Sequence, residues 1–567
     1  MRRRASMTLT LVAALAAGCA GDDASPAGNP LGDQPPPSAQ QPVIEEPDLY
    51  KLVGDYLYVQ NPSTGFNIID VALPKQPKLL GNAPNSAGAG AEMYIRGDGN
   101  ALVLLKAVGG GCKMPEGVDF AGWGQGSELL MVNHADKTHP RVVERYCLPG
   151  SLVASRTVDQ VLYLVQSHPS LPNSQAISLD LTDPEKVRVV QQLQFIDASS
   201  KEIKVTAEAI FVASEQQSYP ASTELTYISI DKVGGMNNRG SIHLEGAPQG
   251  RFHMDVNGSQ FRIVTFNDAS RETLLYVVDI SDPAKMSVLG KLGDIGRWEQ
   301  LYATRFDGDL VYVVTYRQTD PLWVVSLANP AEPKIVGELQ VPGWSDFIFP
   351  RGNRLITVGR GDNGGSLGLS LFDVSDPTQP TSVDQITLGD PSSRSEANVD
   401  HRAVTILERP GKNPVVVVPH TVVSWQDNCK LVERVQLVEV TASKLEPRGG
   451  VEQYGTTRRT LVVEPQLFSI SDEEVVSIDI ASLDLPQVSA RLTVGPGAAD
   501  NPGASQYCSD WQSWDQYNEG YYDYDEGSGG FYMWRCSVDA GRGATPPPLT
   551  VVIGLLWLGL WIARRSR

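Results

Sequence analysis

Strand-sized apolar runs, a repeat of roughly 40 to 50 residues and one recurring turn predict an all-β chain. The expected architecture is a β-propeller of four-stranded blades, eight or nine of them, with seven as the alternative. The strands show in segments such as LVYVV, LWVVSL, RLITVG and LSLFDV. Each is short, rich in β-branched and aromatic side chains, and bounded by Gly, Asp, Asn or Pro, whereas a helix needs a longer run. Several are apolar at consecutive positions, so both faces of the sheet must be covered, as they are when sheets pack side by side.

The repeat emerges when units are aligned on the residue that closes the third strand. These residues are Asp70, Asn133, Asp180, Asp231, Asp279, Ser326, Asp373, Glu439 and Asp479, at separations of 63, 47, 51, 48, 47, 47, 66 and 40. The unit near Ala207 is the poorest copy and is kept because its spacing fits. Nine units exceed the typical range of about four to eight blades. Either the ring is large, or one weak unit is an insertion, or the first and last units share a blade. The turn reads D-[VILA]-[ST]-[DN]-P: an Asp or Asn bonds back to its own backbone and Pro then fixes φ where a strand must stop. These repeated Asp residues are expected to build corners, not to do chemistry.

Residues 1–18 form an export signal, with Arg2, Arg3 and Arg4 before a short apolar run from Met7 to Ala17. Leu15-Ala16-Ala17-Gly18-Cys19 resembles the lipobox of bacterial lipoproteins, which implies cleavage before Cys19 and its acylation; the alternative is an ordinary signal peptide. Residues 19–47 are dense in Pro, Gly, Ser and Asp and cannot bury enough surface to offset their ordering entropy, so they read as a tether. The propeller is expected over 48–497 and an acidic aromatic spacer over 498–548. A short hydrophobic segment with an Arg-rich tail closes the chain over 549–567. Cys536-Ser537-Val538, the Gly and Pro that follow, the apolar run from Leu549 to Ala563 and Arg564, Arg565 and Arg567 resemble the myxobacterial sorting tail called MYXO-CTERM. That resemblance implies processing at Cys536; the alternative is a plain C-terminal anchor.

The segments EEPDLYKLVGDYLYV, QLYATRFDGDLVYVVTYRQTDPLWVVSL, VPGWSDFIFP, LSLFDVSDPTQP and SRSEANVDHRAV resemble the secreted bacterial and archaeal family with a beta-propeller domain distantly related to WD repeats. The resemblance runs well from Glu46 to Pro419 and more loosely beyond. It implies the fold and an extracytoplasmic location, and brings no reaction with it.

An exported protein oxidises its thiols. Cys112 and Cys147 flank the insertion from Gly109 to Glu128 and are expected to pair, with Cys429 and Cys508 as the second disulfide. No C-x-x-C or Cys/His cluster supports zinc. No cofactor is expected. Asp523, Asp525 and Gly527 echo the start of an EF-hand loop, which makes calcium the minor alternative, but Trp534 stands near the place of the required bidentate Glu.

The formal charge is −19, and without the six terminal arginines it is −25. Such a surface repels nucleic acid and anionic lipid, so membrane association is expected only through the lipid and the C-terminal tail. Gly359 to Gly364 spells G-x-G-x-x-G and Gly364 to Gly368 spells G-x-S-x-G. Either chemistry needs a following helix, and a strand follows instead, so this is a hairpin loop.

One polar constellation stands out: Glu396, Asp400 and His401, with Arg305, Arg317 and Asp320. If first strands converge on the axial channel, these residues form a ligand site there or a buried ion-pair network between blades. The expected function is a non-catalytic module, lipid-anchored at the outer membrane or cell surface, that binds an envelope protein, glycan or peptide. The alternative is a propeller enzyme, a lyase or hydrolase with a metal or polar site in the channel. Seven histidines, none in H-E-x-x-H or paired-ligand spacing, favour binding.

Overall fold

A chain whose apolar runs need cover on both faces solves the problem by stacking sheets around a ring. The computed structural model describes residues 47–496 apart from 86–90, 107–110, 118–124, 168–172, 197–200, 217–218, 317–319, 342, 362–365, 390–392 and 425–429. Among the described residues, 36 strands form nine four-stranded antiparallel sheets, each built from strands consecutive in sequence. The blades span 50–83, 91–149, 151–196, 201–245, 254–295, 300–341, 344–388, 405–453 and 457–493. Nine complete blades therefore settle the count. The weak unit near Ala207 is a full blade, and the first and last units do not share one. All nine aligned residues lie within one residue of the end of a third strand.

The core lies between blades. Val264, Leu275 and Val277 of blade 5 pack against Val311, Val313 and Val325 of blade 6, all fully buried. The ring closes in the same way, with Leu57, Val59 and Ile69 of blade 1 against Phe468, Ile470 and Val475 of blade 9. Asn61 donates to the Asp472 carbonyl at 2.7 Å and Ser477 to the Pro74 carbonyl at 2.6 Å across this seam.

The corners form as expected. The Oδ1 atoms of Asp70, Asp180, Asp231, Asp279, Asp373 and Asp479 each accept from the backbone N–H two residues on, at 2.9 Å. Glu439 departs from the pattern: it accepts from Arg409 at 2.8 Å and Arg448 at 2.5 Å. Each corner needs a seat, and in several blades the seat is a glycine at a bulge in the fourth strand of the preceding blade. A Cβ on Gly81 would meet Pro140 Cδ at 2.5 Å, and one on Gly337 would meet Pro380 Cδ at 2.9 Å. Gly290 and Gly449 stand in the same relation to Pro333 and Pro486. The turn motif and these glycines are thus two halves of one contact.

Cys112 and Cys147 are joined, with a Cα–Cα distance of 5.2 Å. The described part of the insertion touches two outer strands, Lys113 bridging to Tyr146 of blade 2 and Glu116 to Arg188 of blade 3. Arg354–Arg360 and Leu367–Asp373 pair antiparallel, so strands flank the Gly-rich segment on both sides. The export signal, tether, acidic spacer and tail lie outside the described residues, as do Cys19, Cys429, Cys508, Cys536, Asp523 and Asp525. Among the described residues no helix is long and apolar enough to cross a membrane.

Candidate functional site

The first strands of neighbouring blades approach one another, Gln300–Asp307 of blade 6 against Trp344–Arg351 of blade 7, so residues on them line the inner side of the ring. Two connections join them there. One precedes blade 5 and carries the 3-10 turn Arg251–His253; the other, between blades 7 and 8, carries Glu396–Asn398 and His401–Ala403. The latter turns are set locally. Ser395 caps the first by accepting from the Ala397 N–H at 3.0 Å, and Asp400 caps the second by accepting from the Arg402 N–H at 3.0 Å.

The structure divides the sequence-predicted constellation in two. Glu396 and Asp400 belong to an ion-pair network that ties the connection to blade 9 and to the chain just before blade 1. Asp400 binds Arg402 at 2.8 Å and Arg459 at 2.5 Å, and Arg459 also binds Asp48 at 3.0 Å. Glu396 meets Arg458 at 2.9 Å, and Arg458 meets Asp472 at 2.9 Å. Arg459 is only 2% exposed in its side chain, so it must have these carboxylates. Burial alone would raise the Asp400 carboxyl, but the hydrogen bond from Arg402 and the charges of Arg459 and Arg402 outweigh it and hold it well below the usual carboxylate range.

Arg305 and His401 instead line a cavity of about 150 Å³ with Phe252, His253, Tyr302, Thr304, Asp346 and Phe347 among its walls. His401 presents its ring to the edge of Phe252 at a centroid distance of 4.7 Å and takes a contact of 2.7 Å from Arg251 Nη2 to its Nδ1. The Arg305 guanidinium lies over Phe252 at 5.2 Å. Burial and the like charge of Arg351 push its pKa down. Buried His253 accepts from the Gln249 N–H at 3.1 Å, and burial lowers its pKa to about 4. Burial also raises Glu202, on the first strand of blade 4, to about 7 against the opposing charge of Arg251.

Of the remaining candidates, Arg317 lies outside the described residues. Asp320 opens the third strand of blade 6, opposite Val341, and not a first strand. Sequence reasoning missed Arg251, Phe252, Phe347, Asp48, Arg402, Arg458 and Arg459. The available signal was the pair of adjacent arginines in TTRRT: on a strand one of two neighbours faces inward, and an inward arginine requires a carboxylate. Among the described residues no group of three or more His, Cys, Asp and Glu side chains is placed to hold a metal ion.

The chain is 32% identical over 249 residues to an uncharacterised protein of Archaeoglobus fulgidus, covering 43% of this chain and 35% of that one. It is 37% identical over 173 residues to an uncharacterised protein of Methanocaldococcus jannaschii, covering 29% and 26%. The chain thus spans about a third or less of the length of these curated relatives. Among solved structures it is similar to Sqt1 from Chaetomium thermophilum, at 10% identity and a TM-score of 0.38, covering 70% of this chain and 94% of that one. Residues 38–178 and 170–483 match the family described as Beta propeller domain, and with nine blades in the ring the chain belongs to that family.

Proposed function

We propose that this chain is an exported, envelope-anchored propeller that acts as a non-catalytic binding module for a protein, glycan or peptide at the cell surface. One observation carries the reading. The two carboxylates that an acid–base or metal-dependent mechanism would use, Glu396 and Asp400, are already engaged by Arg458, Arg402 and Arg459. Beside them an aromatic cavity stays open. A carboxylate held by guanidiniums, one at Glu396 and two at Asp400, is a poor base and a poor metal ligand. A rigid ring with a concave inner side and aromatic walls suits recognition.

Crosslinking on intact cells tests this reading, the expected result being a defined surface partner. Fractionation tests the address, Cys19→Ala being expected to shift the protein from the membrane to the soluble fraction. The enzyme reading keeps one supporting observation, the approach of His401 Nδ1 to Asp400 at 3.5 Å. Stoichiometric metal in the purified protein, lost on His401→Ala, would favour it over binding.

A further inference from the structure

Most aromatic side chains of the ring are packed between blades, but among the described residues Tyr219, Trp298 and Tyr454 are 79%, 60% and 55% exposed. All three lie on one face of the ring. Tyr219 is in the hairpin between the second and third strands of blade 4, and Trp298 and Tyr454 are in connections from one blade to the next. Such hairpins and connections leave a four-stranded antiparallel blade at the same end. Tyr219 and Trp298 are also close to each other. The hairpin of blade 5 at 268–271 stands between them, with Asp268 Oδ1 accepting from the Ala221 N–H at 2.9 Å and the Arg271 carbonyl accepting from the Trp298 N–H at 2.6 Å.

Two further observations mark this spot. Among the described residues four that are not glycine take a left-handed φ, and three of them, Arg271, Asp294 and Trp298, fall here. A bulky residue rarely holds a φ of 70°, and such strain gathers where a side chain is required for function. The other observation is charge. Five acidic residues stand on segments 215–222, 267–272 and 294–299 against Arg271 and Arg297, and Arg297 is balanced by Asp294 at 3.6 Å. Burial, and then the negative charge of Asp268, raise the Glu215 carboxyl. Among the described residues no lysine or arginine pairs with either of these two carboxylates.

We propose that this ledge docks a basic segment of a partner protein, an extended peptide carrying arginine or lysine. One cation stacks on the Trp298 ring, and another lies between the Tyr219 ring and the carboxylates of Glu215 and Asp268. Tryptophan offers a cation the best aromatic face, and the unbalanced carboxylates supply attraction at longer range. A neutral glycan would use the rings and leave the acids uncompensated. The proposal rests on the binding reading above and names the chemistry of the partner.

The test is fluorescence anisotropy of a labelled octapeptide of alternating arginine and glycine, titrated with the full-length protein at ~0.15 M salt, which screens exposed charges more than about 8 Å apart. The same peptide with glutamine for arginine, and a neutral chito-oligosaccharide followed by calorimetry, are the comparisons. The arginine peptide is expected to bind, Tyr219→Ala to weaken it about fivefold and Trp298→Gly about tenfold. Glycine takes the left-handed φ without strain and the indole is mostly exposed, so Trp298→Gly should fold at least as well as the parent, and its lost binding is not lost folding. Asp268→Asn keeps an acceptor for the Ala221 N–H and should weaken binding and flatten its salt dependence. Tyr454→Ala, at the connection between blades 8 and 9, should leave binding unchanged. A glutamine peptide that binds as tightly overturns the cation assignment. Arginine-peptide binding that Tyr219→Ala and Trp298→Gly leave intact is general attraction to an acidic chain and overturns the ledge, as does no binding up to ~1 mM. Binding of the oligosaccharide in place of the peptide, lost in Trp298→Gly, overturns the peptide as occupant while the binding reading stands. A surface crosslink on cells that Trp298→Gly leaves unchanged likewise overturns the ledge and keeps that reading.

Discussion

Replacing Gly337 by alanine tests the contact on which neighbouring blades depend. Its added Cβ would lie 2.9 Å from Pro380 Cδ and closer still to the Pro377 carbonyl oxygen, both on the corner of the next blade. Neither atom is the free end of a flexible side chain, so the blades themselves must part. Overpacking of this kind costs about 1 to 3 kcal/mol. Against it stands the gain of about 0.4 to 1 kcal/mol from a stiffer unfolded chain. No left-handed φ is required at Gly337, so no strain term enters. The net expectation is a loss of about 1 to 2 kcal/mol. Urea unfolding followed by tryptophan fluorescence measures it. Gly97→Ala is the control, because Gly97 has nothing within 4 Å of an added Cβ and no left-handed φ, and should be neutral or slightly stabilising. A Gly337→Ala protein as stable as the Gly97→Ala protein would refute the account of how corners seat.

Three further outcomes are expected. Asp400→Asn leaves buried Arg459 and half-exposed Arg402 undercompensated and should cost about 3 kcal/mol, the low end for breaking a buried pair. Because the folded-state pKa of Asp400 is depressed, its contribution is present above the unfolded value of about 3.9 and is lost as pH falls below it; the variant should show a flatter acid limb in unfolding experiments. His253 and His420 are both lowered by burial to about 4, so the unfolded chain takes protons first and stability should fall as pH drops from about 6.5 toward 4. Glu202, raised to about 7 from an unfolded value of about 4.5, acts with the opposite sign over nearly all of that window, so the comparison is made with the parent protein: His253→Gln should shallow the descent by up to ~1.4 kcal/mol per pH unit, and an unchanged slope would exclude the buried neutral histidine. Cys112→Ser opens a bridge spanning 35 residues and should lower stability by ~3 to 4 kcal/mol in the chain-entropy estimate, with mass analysis confirming the pair in the parent protein.

The ring was legible because its cause is local and repeated. An Asp that bonds to the N–H two residues on, and a Pro that stops a strand, act wherever they occur, so their spacing marks blade after blade. Even the blade near Ala207 kept that spacing while its Pro was replaced by Gly234 and Gly235. The inner surface was less legible because its partners are distant in sequence. Arg459 reaches Asp48 across 411 positions and Arg251 reaches His401 across 150, and no pattern in either segment announces the other. The acidic and basic residues of SRSEANVDHRAV could be recognised as unusual. Which of them face arginines and which face the cavity depends on the two 3-10 turns that carry them. Asp320 looked equivalent to its neighbours in TYRQTDPL and lies on a different strand of the blade from Arg305.

Among the described residues no sheet borrows a strand from a remote part of the polypeptide. The joint between the blades at 50–83 and 457–493 is therefore of the same kind as every other, held by side chains and a few hydrogen bonds. Numbering could begin at almost any boundary between sheets and the same circle would result. The exception is the connection carrying Glu396 to Ala403: opening the backbone there would unmoor a stretch whose carboxylates bind Arg458 and Arg459 of the last sheet.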